Sequence, residues 1–80
     1  MVDPNCFIIL FDSTHQAMSA EAALKEAGIR HAVVNTPREF SVNCGISLRV
    51  AVEDRDAAVA SLAGRGVIYA RVEPYRSRWV

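Results

Sequence analysis

Cys44 is the side chain of this sequence best suited to covalent chemistry, and its neighbours are of the kind that make a thiol reactive. It lies near the end of residues 36–45, which read Thr36, Pro37, Arg38, Glu39, Phe40, Ser41, Val42, Asn43, Cys44 and Gly45. The thiolate is the nucleophilic form of cysteine, and positive charge or helix-end amides stabilise it. Arg38 brings such a charge. Pro37 and Ser41 are suited to positioning a loop, Ser41 through a side-chain to backbone hydrogen bond. Gly45 allows close approach of a partner, or a backbone conformation that other residues avoid. The bland reading of Cys44 is a small buried hydrophobe, and its polar setting between Asn43 and Gly45 weighs against it. Arg38 stands equally as a solvated cation or as a partner of Glu39.

The other cysteine, Cys6, falls inside the apolar run 6–11 and reads as a buried strand residue. The strand spacing puts the two sulfurs ~15 Å apart, too far for a disulfide, so Cys6 is not assigned as a resolving thiol. Two cysteines supply neither a disulfide scaffold nor the four ligands of a structural zinc. No metal and no cofactor is expected.

Eighty residues, about half of them apolar, fit one globular domain over 1–80. Its core is expected over about 6–73, with 74–80 as a tail. Nine basic and nine acidic residues balance to zero net charge, which argues against a general attraction to nucleic acid. A basic patch at the C-terminus is the exception, where Tyr75, Arg76, Arg78 and Trp79 read as a docking tail with cation–π potential or as a frayed end. No apolar run reaches the ~20 residues of a membrane helix, and no signal-peptide pattern precedes the first strand. A soluble, cytoplasmic protein is expected.

The elements that must position Cys44 follow from the pattern. Residues 6–11 suit a central strand. Ser13 followed by Gln16 fits a capping box, and Ala17, Ala20, Leu24 and Ala27 recur at helical spacing up to Gly28, a left-handed cap. Residues 29–36 form a second strand stopped by Pro37. Ile46, Leu48, Val50 and Val52 alternate with Ser47, Arg49 and Ala51, one face apolar and one partly polar. Glu53 and Asp54 offer cap and first-turn acidity to a second helix carrying Ala58, Val59, Leu62 and Ala63, closed by Gly64 and Gly66. Residues 67–72 form the last strand, with Ile68, Ala70 and Val72 on one face and Pro74 as its stop.

The order β-α-β-β-α-β in so short a chain points to an α+β, ferredoxin-like sandwich, a four-stranded antiparallel sheet with two helices on one face. Right-handed crossovers then bring the end of the first strand, the start of the first helix and the start of the third strand to one rim. Ser13, Thr14 and His15 join Cys44 and Arg38 there, and the helix N-terminus favours a thiolate or an anion. His15 is a candidate for a Cys–His pair or a first-turn surface residue. The connection 37–45 exceeds the usual hairpin length, as functional loops often do.

The strand ending near Ser13, Thr14 and His15, the alanine-rich helix to Gly28, and Thr36-Pro37-Arg38 through Ser41 to Cys44-Gly45-Ile46 together resemble the selenium/sulfur carrier-like family. The resemblance spans residues 7–72. It implies a carrier of sulfur or selenium, with Cys44 matching the motif thiol, Arg38 the motif arginine, and Ser41 and Gly45 their motif positions. Cys44 would accept a terminal sulfur or selenium as a persulfide or its selenium analogue, between a donor and an acceptor protein. With no independent base, cofactor pocket or metal cage in the sequence, a carrier is favoured over a turnover enzyme. The reading from another class is a binding or regulatory module that pairs through an open sheet face or strand edge, as in a homodimer.

Overall fold

A computed structural model of the chain describes residues 4–40 and 44–76, and in these the apolar run and the alternating run become the two central strands of one sheet. The elements are β1 (Cys6–Leu10), α1 (Thr14–Glu26), β2 (Ala32–Asn35), β3 (Ile46–Ala51), a 3-10 turn (Val52–Asp54), α2 (Arg55–Gly64) and β4 (Arg71–Tyr75). The strand order is β2-β3-β1-β4, and each neighbouring pair is antiparallel. This is the α+β, ferredoxin-like arrangement expected from the element order.

β1 is apolar throughout because both of its faces are covered. Ile9, with Phe11 just beyond the strand, enters a cluster with Leu48 and Val50 of β3, Ala17, Ala20, Ala23 and Leu24 of α1, and Ala58 and Leu62 of α2. Both helices therefore lie on that face. The other face carries Cys6, Ile8 and Leu10, packed against Val34, Phe40 and Tyr75. Phe40, from the β2–β3 connection, meets the Tyr75 ring edge-on at 5.9 Å. The small alanines of α1 let the helix approach the sheet, and full burial of Leu24 contributes about 1.5–3 kcal/mol.

Local chemistry sets the ends of the elements. The Ser13 hydroxyl accepts from the Gln16 amide at 3.2 Å, while the Gln16 side chain returns to the amide of Asp12 at 3.0 Å. The capping box thus forms with its return arm one residue earlier than the usual pattern. Gly28 takes φ 73° after α1, and Ile29 N–H bonds back to the Leu24 carbonyl, the left-handed closure the sequence predicts. Asp54 precedes α2 but makes no side-chain cap bond, contrary to the sequence expectation; its φ of −98° and ψ of −1° are already near-helical.

Two strands differ from their expected bounds. β2 begins at Ala32 instead of residue 29, because Ile29 is tied into the closure of α1 and its carbonyl faces the His31 ring at 2.9 Å. β4 runs over Arg71–Tyr75, not 67–72, so Pro74 lies within the strand instead of stopping it. Val67 N–H is spent on the Leu62 carbonyl behind Gly66, whose φ is 68°, which delays the strand. Pro74 is tolerated because β4 is an edge strand that pairs with β1 alone and needs no outward amide. Ile68 is consequently exposed and does not share a buried face with Val72. Tyr75, expected in a tail, is the last strand residue, while Arg78 and Trp79 lie outside the described residues. A cation–π contact is found at Arg55, 5.4 Å above the Phe7 ring. No helix among the described residues is long and apolar enough to cross a membrane.

Candidate functional site

The two hydroxyls and one amide that hold Cys44 come from three element ends: Thr14 at the start of α1, Thr36 just past β2, and Ile46 at the start of β3. The antiparallel register of β2 and β3, with Asn35 opposite Ile46, brings Thr36 beside Gly45, and Thr36 N–H bonds to the Gly45 carbonyl at 2.9 Å. The Thr36 hydroxyl donates to the Cys44 carbonyl at 3.0 Å. Its single proton is thereby used, so the contact of 2.6 Å between the Thr36 and Ser47 hydroxyls has Ser47 as donor. Ser47 is completely buried, and this bond satisfies it. The chain Ser47, Thr36, Cys44 carbonyl fixes the backbone that carries the thiol.

The sulfur itself has two polar contacts, of which the Ile46 amide is a donor and the Thr14 hydroxyl can either donate or accept. Ile46 N–H points to Sγ at 3.4 Å, and the Thr14 hydroxyl lies 3.9 Å away, at the long end for a sulfur hydrogen bond. Thr14 is the first residue of α1, so Sγ also lies beside the positive end of that helix. The amide that touches sulfur nevertheless belongs to β3, not to α1. Cys44 is only 4 % exposed and joins the helix-side core cluster. It is a buried thiol with polar contacts, not the open loop thiol that Asn43 and Gly45 suggest.

Of the other residues singled out in the sequence, Ser13 is engaged in capping its own helix. His15 is exposed and turns to a cavity it shares with Gln16, Ser19, Arg65, Gly66, Val67 and Ile68, so no Cys–His pair forms. Arg38 is exposed and has no hydrogen bond or ion pair among the described residues, with Glu39 or with Cys44. Pro37 opens a turn in which Phe40 N–H bonds to its carbonyl at 3.1 Å. Ser41 lies outside the described residues. Gly45 has no left-handed φ, and a Cβ added there would meet open space, so neither backbone conformation nor internal packing requires glycine.

Sequence reasoning passed over Thr36 and Ser47 as chemistry-bearing residues. The available signal was a serine on a strand whose neighbours are mostly apolar, which calls for a buried partner. A groove of about 270 Å³ is lined by Thr14, Ala17, Met18, Glu21, Val33, Ile46 and Leu48; Cys44 itself does not line it. Met18 and Val33 are its exposed apolar walls, and Thr14 and Ile46 are the same residues that touch sulfur. Among the described residues no group of His, Cys, Asp and Glu could hold a metal ion. Cys6 lies on the opposite face of the sheet, donating its S–H to the Tyr75 carbonyl at 3.3 Å, and neither cysteine is in a disulfide.

No curated protein and no solved structure was found to match the chain. The model of the family described as "Putative Se/S carrier protein-like" matches residues 6–72, most of the sequence and every element from β1 into β4, and the chain belongs to that family.

Proposed function

We propose that this protein carries sulfur or selenium on Cys44, accepting it from a donor protein and passing it to an acceptor. The observation that carries the reading is the convergence of the Ile46 amide and the Thr14 hydroxyl on a single free sulfur at the start of α1. Two donors and a helix N-terminus are what an anionic sulfur, or the terminal atom of a persulfide, needs to be held away from bulk water. In the first step the Cys44 thiolate attacks the outer sulfur of a donor persulfide. The bond between the donor's two sulfurs breaks, the donor leaves as a thiolate, and Cys44 holds a persulfide. An acceptor thiolate then attacks that outer sulfur and releases Cys44 as a thiolate. Each step is an exchange with no net oxidation, so no redox cofactor is called for. Selenium follows the same course from a selenosulfide.

Arg38, exposed on the connection that precedes Cys44, is the cation assigned to the incoming or outgoing anion. The largely apolar groove lined from α1, β2 and β3 is the seat we assign to the partner protein, since it includes Thr14 and Ile46, the two residues that touch the Cys44 sulfur. Because Cys44 is almost wholly buried, transfer requires a local opening that exposes its sulfur.

That same burial favours a second reading, in which Cys44 is a core residue of a binding module. The discriminating experiment incubates the reduced protein with inorganic polysulfide, and separately with selenodiglutathione, and follows intact and peptide mass. The carrier reading expects on Cys44 one added sulfur atom from polysulfide, or a selenium atom still bearing one glutathionyl group from selenodiglutathione, reversed by excess thiol, kept in Cys6→Ser and lost in Cys44→Ser. An unmodified Cys44, or equal labelling of Cys6, supports the binding module.

A further inference from the structure

Away from Cys44, toward the far end of β3, Arg30, His31, Ala32, Arg49 and Ala51 line a concavity of about 280 Å³, with Cys6 at its base. Arg49 is half-buried on β3, opposite Ile8 of β1 and Ala32 of β2 in the sheet register. Arg30 reaches the same space from the connection between α1 and β2. Neither arginine has a carboxylate or hydrogen-bond partner among the described residues, whereas Arg55, Arg65 and Arg71 each have one. Among the described residues no acidic side chain lines the concavity. The nearby carboxylate of Glu21 is held at the outer nitrogen of His31, 3.0 Å away. In a chain whose charges balance overall, this is a local concentration of positive charge with no carboxylate partner among the described residues, in a concave, partly apolar site. Such a site concentrates anions.

We propose that this concavity binds a small phosphate-bearing ligand. Two guanidinium groups match the charge of a phosphate dianion, and each offers the planar fork that pairs with its oxygens. The volume is at the small end for ligand pockets, which suits a phosphate or a small phosphate monoester. Ala32 and Ala51 provide a short apolar wall for the organic part of a monoester. The site is separate from Cys44 and does not depend on the carrier reading.

The test titrates inorganic phosphate, and in a second arm glycerol phosphate, into the isotope-labelled full chain at ionic strength held constant with chloride. Saturable shifts are expected in the backbone amides of residues 30–32 and 49–51. Arg30→Ala and Arg49→Gln should each weaken binding by about tenfold to a hundredfold, the range for loss of a charge-assisted hydrogen bond. Arg49→Lys, which keeps the charge and loses the fork, should weaken it as well. Arg30 is exposed and Arg49→Gln keeps most of the stem, so both variants should fold, which unchanged amide positions around Thr14 and Ile46 would verify. Shifts that fail to saturate, that persist in the Arg30→Ala/Arg49→Gln double variant, or that acetate reproduces at equal concentration would overturn the proposal.

Discussion

Replacing Thr36 by valine keeps the shape of a β-branched side chain and removes the hydroxyl that joins Ser47 to the Cys44 carbonyl. The lost bond to the carbonyl is worth about 1 kcal/mol, and leaving the Ser47 hydroxyl buried without a partner costs about 1–3 kcal/mol. Half-buried Thr36 allows some relaxation, so about 2–3 kcal/mol of destabilisation is expected in urea unfolding. A chain of 80 residues has about 4–12 kcal/mol in total, so the variant should remain folded. Because the same hydroxyl holds the backbone of Cys44, opening of the thiol should become more favourable by a similar amount. An aromatic disulfide reagent, used in a Cys6→Ser background, should then label Cys44 about 30-fold faster, the equivalent of about 2 kcal/mol. Ser47→Ala removes the group that would be orphaned, so Thr36→Val/Ser47→Ala should cost about 1 kcal/mol less than the sum of the single changes. Faster unfolding without faster labelling would show that the thiol opens by a route that leaves the Thr36 bond intact. Additive single costs would refute the shared hydroxyl chain.

Two glycines should respond in opposite ways to alanine. Gly28→Ala forces a side chain onto φ 73° and should cost about 1 kcal/mol, a fall of about 4–8 °C in Tm by calorimetry. Gly45→Ala, with ordinary φ and open space at its Cβ, should stay within about 0.5 kcal/mol of the parent. A loss of sulfur transfer in that stable variant would assign Gly45 to partner approach. Arg65 forks onto both carboxylate oxygens of Glu26 at 2.9 and 3.1 Å, but both groups are largely exposed. Arg65→Ala should therefore cost less than about 1 kcal/mol, with the difference vanishing at high salt.

The ends of α1 were the most legible features, since Ser13 and Gly28 act through atoms within a few residues of themselves. The central strands were legible for a different reason. A strand covered on both faces, such as β1, must be apolar throughout, and one that is less evenly covered, such as β3, must alternate. The edge strands were read less well, because their bounds depend on which amides the neighbouring helix closures consume and on which side of the strand is unpaired. Pro74 reads as a stop in isolation and becomes an ordinary edge residue once β4 is known to pair on one side.

For the site, the sequence by itself determined that Cys44 precedes an alternating strand and that a capped helix begins near the same rim. The contact of Thr14 with the sulfur follows from that order of elements. Only the tertiary structure decided the rest. It turned His15 toward Arg65 and away from Cys44, brought Thr36 onto Ser47 through the β2–β3 register, and buried the thiol among core residues. It also brought Arg30 and Arg49 to one concavity with no carboxylate beside them among the described residues. Local caps and hydrophobic periods are encoded within a turn or two of chain, whereas the partner of a buried hydroxyl or an unpaired arginine is set by register and crossover. These relations join residues distant in sequence, and no spacing along the chain records them.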